Sequence, residues 1–432
     1  MVTEHLSARF LAGASEVDIT PPIGGFMAGY AARTEKSQGI HDPLKAQALY
    51  LQQGVAQILI LTCDMIGIDL EFTSQVRQAI GSALNISQKS ILLACSHTHS
   101  GPQGFLPDMP IMSNLKDPVL TEITKRKLVG AAQWAVANSQ PASLSYGCHN
   151  LTGLGKNRND PIQGAFDSQL SLLRLDDPAK NPLAVLFNFG CHPTIMGYDN
   201  LQISADYPGS ARQFLKQHFP ACTFLFTNGA SGDVSTRFTR REQGFNEVER
   251  MGLLLAGGVL QAMLNAEPLD TEPINTESVP VELPLRDFPT KAETLTKIEQ
   301  IKAELERFKQ AKASPAAMRK IVTQLEGARG QLEMASRFEN VKSVQAELQF
   351  LRIGSIVLIG IPGEPFSQTV LDIKKTCRPR IAIPISYAND YQGYFPDQAA
   401  VEYGTYEALI SPYDQRVSEV IYQSAVQNVV KD

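Results

Sequence analysis

The sequence has little tryptophan and no closely spaced cysteine pairs. The lack of such pairs excludes a cysteine-based metal site. The 432 residues include one tryptophan and six cysteines. The cysteines are widely separated, without a CxxC pair or the spacing of a Cys/His zinc finger. Because disulfide frameworks are typical of short secreted chains, we expect free thiols that are buried as small apolar side chains. A metal ion would therefore have to be held by other groups.

Long apolar runs and basic tracts are also missing. No segment approaches the ~20 apolar residues of a transmembrane helix. The first residues lack the pattern of a signal peptide, which predicts a cytoplasmic protein if the chain is complete and a secreted or periplasmic one if a signal was removed. The net charge of -5 comes without a Lys/Arg cluster, so no face for nucleic acid is expected. A hydrophobic content of 43% is typical of a globular protein with a sizeable core.

Strands alternate with helices along the chain, which predicts an α/β fold with mixed central β-sheet flanked by helices. Runs such as SILLACS and LAVLFNF indicate buried strands, whereas Leu70–Leu84 has helical periodicity. We expect a single domain over residues 1–432. Within it, apolar residues at helical spacing on both sides of Ser314-Pro315 predict an inserted antiparallel helical hairpin over 288–338. This hairpin could be a surface excursion, a cover over the site or a contact in a homo-oligomer.

Three of the seven histidines stand at the ends of predicted strands. His97 and His99 follow SILLACS directly, and their i, i+2 spacing in an extended chain would place both rings on one side, roughly 6–7 Å apart. Such a pair can supply a metal ligand and a neighbouring proton donor. His192 follows LAVLFNF, and a lone histidine there would ordinarily be structural. Because sites collect where strands of an α/β sheet end, the two positions support each other.

Other polar residues occupy similar places, each with an ordinary structural interpretation. Glu364 follows the apolar run VLIGIP, where it could simply favour a helix N-terminus. The segment NGASGDVS, which ends in Ser235, follows another strand, and Tyr394 lies in NDYQGY after a third. The sequence contains no G-x-S-x-G elbow and no Walker loop. From the residues alone, the type of site therefore stays open.

The order of several longer motifs is more specific. They are ASEVDITPPIGGFMAGYA, GIHDPLKAQAL, SHTHSGP, GLGKNR, FNFGCHPT with ISADYPG, NGASGDVS, IPGE and NDYQGY. In this order the chain resembles the catalytic domain of the neutral/alkaline, non-lysosomal ceramidases. The resemblance implies a hydrolase that cuts the amide bond of N-acyl sphingosine with a metal-activated water, and it implies a small-molecule or lipid amide as the binding partner.

The resemblance also implies one catalytic Zn²⁺ and its ligands. By position these are His97, His192, Glu364 and Tyr394. Two imidazoles, a carboxylate and a phenol form a nitrogen and oxygen donor set that suits zinc and leaves room for water.

Three further residues are implied to be catalytic. His99 and Arg158 would line the site, where either could face a developing oxyanion and His99 could instead protonate the leaving amine. Ser235 corresponds to a serine held to be important for catalysis in the family.

The sequence departs from the family pattern in several places. Thr236 stands where the family usually has proline, and the tail after NDYQGY follows the family only loosely. The chain ends at Asp432, so we expect it to lack the C-terminal immunoglobulin-like domain.

Three alternative functions stay open. They are the same zinc mechanism on another amide or an ester, a serine hydrolase with Ser235 as nucleophile and His99 as base, and a non-catalytic relative that binds zinc or lipid.

Overall fold

The structure is a computed structural model that describes residues 10–107, 115–311 and 313–431. Its helices are α1 (Leu70–Leu84), α2 (Pro118–Ala137), α3 (Asp206–His218), α4 (Phe245–Leu264), α5 (Lys291–Gln310), α6 (Pro315–Arg337), α7 (Ser367–Thr376), α8 (Gln398–Tyr403), α9 (Tyr406–Ile410) and α10 (Arg416–Val430). Its strands are β1 (Phe10–Asp18), β2 (Gly39–Ile40), β3 (Lys45–Gln53), β4 (Ala56–Cys63), β5 (Ile91–Cys95), β6 (Gln140–Pro141), β7 (Ser143–Asn150), β8 (Lys156–Asn157), β9 (Gln169–Asp176), β10 (Pro182–Phe189), β11 (Gln202–Ile203), β12 (Thr223–Asn228), β13 (Val234–Ser235), β14 (Glu267–Pro268), β15 (Ile274–Pro284), β16 (Ser343–Ile353), β17 (Ile356–Gly360), β18 (Glu364–Pro365), β19 (Ile381–Ile385) and β20 (Tyr394–Phe395).

Three larger sheets organise the described chain. Their strand orders are β5-β4-β3-β1-β6, β12-β10-β9-β7-β14 and β15-β16-β17-β19. Each sheet is mostly antiparallel but contains one parallel pair at an edge: β4 with β5, β10 with β12, and β17 with β19. The predicted α/β class with mixed sheets and flanking helices is thus confirmed, with the strands divided among three sheets.

The sheets pack against one another and carry helices on their outer faces. Strand β4 shows why: alternate side chains point to opposite faces. Ile58 and Ile60 join a core shared by all three sheets, whereas Leu59 and Leu61 join the core beneath α1 and α2. The second sheet packs in the same way under α3 and α4, and the third under α7 and α10. Burial on both faces explains the continuous apolar runs in these strands.

Two further expectations concern the cysteines and the membrane. All six cysteines are free, and five are buried while Cys148 is exposed. Among the described residues, no helix combines the length and the apolar character needed to cross a bilayer.

Helices α5 and α6 form the helical hairpin. Thr290 and Glu293 make a capping box at the start of α5, and the Ser314 hydroxyl accepts a hydrogen bond from the backbone N–H of Ala317 at the start of α6. The two helices share a small apolar core of Ile298, Ile301, Ile321, Leu325 and Ala328. Helix α6 also packs against α9, which follows the last predicted site residue.

Candidate metal centre

The candidate site lies where the parallel strands of the three sheets end. Asn228, the last residue of β12, joins these ends: its side-chain amide donates to the carbonyls of Ser96 and Cys191, each at 3.2 Å. Its own carbonyl accepts from the backbone N–H of Ser386 at 2.8 Å. The chain segments that carry the predicted histidines, and the segment that leads to the tyrosines, are therefore tied to one residue.

His97 is the first predicted ligand. Its Nδ1 lies 2.6 Å from the carbonyl oxygen of Ile66. Because a carbonyl only accepts, Nδ1 carries the proton and the lone pair of Nε2 faces the site. The prediction of an extended backbone here is wrong, since His97 has φ of 68°, in the left-handed region. This turn rotates the ring so that its Nε2 approaches that of His99 to 3.2 Å.

His192 is arranged in the same way. Its Nδ1 lies 2.6 Å from the carbonyl oxygen of Ser231, so Nδ1 is protonated and Nε2 is left with a free lone pair. Nε2 is buried and lacks a hydrogen-bond partner of acceptable geometry, although it lies 3.1 Å from Oε2 of Glu364. Two electron-rich atoms facing each other without a proton between them are costly in a protein interior unless a cation joins them.

The histidines form one group, in which His97 and His192 are buried and His99 is half-buried. The ligand nitrogens of His97, His99 and His192 lie within 4.8 Å of one another, so this group could hold a metal ion. Burial lowers the pKa of His97 to about 3, against the opposing effect of Glu364. Burial, assisted by the two neighbouring histidines, also takes the pKa of His99 well below its ordinary value. Neutral imidazoles are the form in which histidine binds metals.

Glu364 provides the carboxylate of the group. It is fully buried, and its Oε1 lies 3.7 Å from Nε2 of His97. Tyr391 donates to Oε1 at 2.6 Å and Tyr387 donates to Oε2 at 3.1 Å. Burial alone would raise the pKa of Glu364, but His97 and His192 outweigh it and lower that pKa to about 2. The carboxyl group is therefore ionised, as a metal ligand must be.

Tyr394 lies beside this group. Strands β18 and β20 pair in parallel with Glu364 opposite Tyr394, and the tyrosine ring lies 6.3 Å from the ring of His192. Burial and the charge of Glu364 hold the pKa of Tyr394 well above its ordinary value. The structure thus brings His97 and His192 within 4 Å of the carboxylate of Glu364 and places the ring of Tyr394 next to that of His192.

Arg158 approaches the site from the side of Tyr394, with its guanidinium carbon 5.4 Å from the tyrosine ring centroid. It donates from Nη2 to the carbonyl of Gly232 at 2.7 Å, and its Nε lies 2.7 Å from Oε1 of Glu407. Burial would lower the pKa of Arg158, but Glu407 and Tyr394 raise it well above its ordinary value. A fixed positive charge therefore borders the site.

Ser235 lies next to the group through its backbone, since it forms a β-bridge with His192. Its hydroxyl oxygen accepts from the backbone N–H of Arg237 at 3.0 Å, which is a cap on a short 3₁₀ turn. This is a structural contact and not the Ser–His hydrogen bond that a serine nucleophile requires.

Sequence reasoning missed the partners of these residues. Tyr387 and Ser231 contact the candidate ligands, and Glu407 pairs with Arg158. Ser231 could have been found, because it lies in the NGASGDVS motif. Tyr387 and Glu407 carry no local signal that sets them apart from other tyrosines and helix-surface glutamates.

The donor set fits a metal ion of the zinc type. The group offers neutral imidazole nitrogens and an ionised carboxylate in a buried place, and both histidines at strand ends have Nδ1 fixed by carbonyl oxygens, as is usual for metal-bound histidine. The unpartnered Nε2 of His192 is the clearest sign that a cation is needed.

A buried histidine and carboxylate centre at strand ends of an α/β fold defines a candidate metal-binding protein. Residues 10–238, more than half of the chain, match the family described as neutral/alkaline non-lysosomal ceramidase, N-terminal. The chain therefore belongs to this family.

Individual relatives agree with this assignment. Neutral ceramidase of Pseudomonas aeruginosa is 27% identical over 229 residues, which cover 48% of this chain and 33% of that protein. Neutral ceramidase 2 of Arabidopsis thaliana is 25% identical over 251 residues, or 53% of this chain and 32% of that protein. The match thus spans about a third of the length of these curated relatives. The crystal structure of the P. aeruginosa neutral ceramidase superimposes with a TM-score of 0.79 at 18% identity, covering 98% of this chain and 74% of that one, and shows the same fold.

Proposed function

We propose that this protein is a zinc-dependent hydrolase that cleaves the amide bond of an N-acyl sphingosine, giving a fatty acid and sphingosine. The observation that carries the proposal is the buried Nε2 of His192, which has no hydrogen-bond partner and faces the ionised Glu364. Membership in the ceramidase family supports an amide as the bond that is cut.

In this proposal His97, His192, Glu364 and Tyr394 hold one zinc ion. When bound, zinc supplies a Lewis acid that brings the pKa of water to about 7. The ring of Tyr394 lies 6.3 Å from that of His192 and 5.4 Å from the guanidinium carbon of Arg158. The positive charge of Arg158 favours the phenolate form of the tyrosine, so the same arginine that borders the site would help Tyr394 to act as a ligand.

The remaining site residues act on the amide itself. Arg158 offers a fixed charge for the oxyanion that develops on the carbonyl, a role typically worth about 3 kcal/mol per donor. His99, whose Nδ1 is buried without a partner, is assigned as the group that would accept a proton from the attacking water and then pass it to the leaving amine. Ser235 we assign to positioning, because it directly follows Val234, whose carbonyl lies 3.1 Å from Nδ1 of His192, and its hydroxyl caps the turn that comes next.

A largely apolar groove that includes Pro102, three residues beyond His99 along the chain, supports a lipid amide. Its volume is about 580 Å³, and the exposed Ile23, Leu115 and Val119 contribute to it. Met27, which lines the groove and bridges to Pro102, lies two residues before Gly29, whose backbone is next to the side chain of His99. An alkyl chain in such a groove gains roughly 0.8 kcal/mol per buried methylene.

The experiment that tests the function is hydrolysis of N-acyl sphingosines of increasing acyl length by protein of measured zinc content. We expect about one zinc per chain, loss of activity with a chelator, and kcat/KM that rises with acyl length. Resistance to serine-directed phosphonates is the matched control. Equal rates for all lengths, with faster cleavage of short acetyl amides or simple esters, would show that the substrate is not a lipid amide. Activity that survives zinc removal would refute the zinc mechanism.

A further inference from the structure

Tyr387 is a core residue that also contacts several residues of the candidate metal centre. It is fully buried, and its ring stacks on the ring of His97 with centroids 3.9 Å apart and planes 10° from parallel. Its hydroxyl donates to Oε2 of Glu364 at 3.1 Å and lies 2.6 Å from the hydroxyl of Ser231. One side chain therefore touches two of the four candidate ligands directly.

The third candidate ligand is reached through Ser231. The carbonyl of Ser231 accepts from Nδ1 of His192 at 2.6 Å, while its hydroxyl contacts Tyr387. Nε2 of His192 in turn lies 3.1 Å from Oε2 of Glu364, the oxygen to which Tyr387 donates. The contacts close a ring of four residues: Tyr387, Glu364, His192 and Ser231. Displacing any member changes the position of at least one candidate ligand.

The backbone at this position also requires an explanation. Tyr387 has φ of 56°, and the residue it stacks on, His97, has φ of 68°. The left-handed region is unfavourable for bulky residues, and residues held there cluster at functional sites. Here the backbone N–H of Cys95 donates to the carbonyl of Tyr387 at 3.2 Å, and that of Tyr387 donates to Gly363 at 3.2 Å. The strained tyrosine therefore joins the segments that lead to His97 and to Glu364.

We propose that Tyr387 is a positioning residue of the metal centre, which fixes Glu364, His97 and, through Ser231, His192 relative to one another. The inference rests on the proposed zinc function. Tyr391 differs from Tyr387, because it donates to Oε1 of Glu364 at 2.6 Å and its ring lies 6.1 Å from that of His97. Removing the hydroxyl of Tyr387 should loosen the ring of contacts, whereas removing that of Tyr391 should release one carboxylate oxygen only.

The test compares Tyr387→Phe, Tyr391→Phe and the wild type for binding of zinc and of Co²⁺ as a spectroscopic probe. A lost partner of a metal ligand typically lowers metal affinity 10–100-fold. We expect the dissociation rate of the metal to rise by about 10-fold or more in Tyr387→Phe, with a changed Co²⁺ absorption spectrum. Tyr50→Phe is the control, since Tyr50 is a buried tyrosine on β3 whose hydroxyl has two glutamine partners, Gln52 and Gln57.

The outcomes separate this inference from the proposed function. If the wild type binds metal and Tyr387→Phe retains the wild-type dissociation rate and Co²⁺ spectrum, the positioning role is refuted and the zinc site stands. A wild type without metal affinity refutes both. If Tyr387→Phe does not fold, Ser231→Ala replaces it, because that change removes the hydroxyl partner of Tyr387 and keeps the carbonyl that accepts from His192. Unchanged metal binding in Ser231→Ala would show that the contacts among Tyr387, Glu364, His192 and Ser231 do not position the metal ligands, and it would refute the proposal.

Discussion

Replacing Gly29 by alanine tests whether the position of His99 matters for turnover. A Cβ at Gly29 would lie 2.5 Å from Nδ1 and 2.6 Å from Cγ of His99. Ordinary contact between such atoms begins near 3.5 Å, so the ring must move by about 1 Å. Such a displacement of a catalytic group can cost roughly 10²-fold in rate. We therefore expect kcat to fall by about that factor while zinc remains bound by the other residues.

The change has a second effect that must be separated from the first. Gly29 has φ of 106°, which strains any residue with a Cβ, so Gly29→Ala should also lower the free energy of unfolding by roughly 1–3 kcal/mol. Gly153→Ala is the matched control: its φ is 82°, and the nearest atom to its Cβ would be Cδ2 of Leu254 at an ordinary 3.7 Å.

The measurements are kcat on a short soluble amide, zinc content and thermal unfolding for both variants. Both should be destabilised, but only Gly29→Ala should lose turnover. Equal losses of kcat in the two variants would mean that backbone strain, and not the displaced ring of His99, explains the defect. Full turnover in Gly29→Ala would show that His99 takes no part in the reaction.

Two other predictions follow from the same geometry. His192→Ala should lose zinc, because it removes a ligand nitrogen. His99→Ala should keep most of the zinc and lower kcat by roughly 10²-fold or more. Equal loss of zinc in the two variants, measured by mass spectrometry, would mean that the two roles are assigned wrongly. Glu407→Gln should keep zinc and lower kcat by about 10-fold or more, because it removes the negative charge that holds Arg158 in place. The control is Glu402→Gln on the exposed surface of α8. Equal kcat in the two variants would show that Glu407 does not position Arg158 for the reaction.

Local signals in the sequence predict the elements well. The periodic segment Leu70–Leu84 is a helix with those bounds, and α5 and α6 form the hairpin predicted over 288–338, because apolar spacing and caps act over a few residues. The places of His97 and His192 after buried strands were likewise predictable. These strands are buried on both faces, which makes their apolar runs easy to recognise.

What the sequence does not show are contacts between distant residues. Asn228 joins the ends of strands from different sheets through hydrogen bonds to Ser96, Cys191 and Ser386, and neither its neighbours nor its spacing indicates this role. The left-handed backbone of Tyr387 was also unpredictable, since a bulky side chain rarely adopts it, and the modest enrichment of histidine in this region does not single out His97. Such conformations are fixed by the tertiary contacts around them.

The helical hairpin shows how a segment far from the candidate ligands can still bear on them. The Cβ of an alanine at position 327 of α6 would lie 3.6 Å from Leu409 of α9, so the two helices are in close contact. Burial, followed by the charge of Glu326 on α6, raises the pKa of Tyr406 on α9 to about 12. The next residue of α9 is Glu407, which holds Arg158 beside Tyr394. A change in how the hairpin packs would therefore move α9, then Glu407, and with it the charge that borders the candidate metal centre.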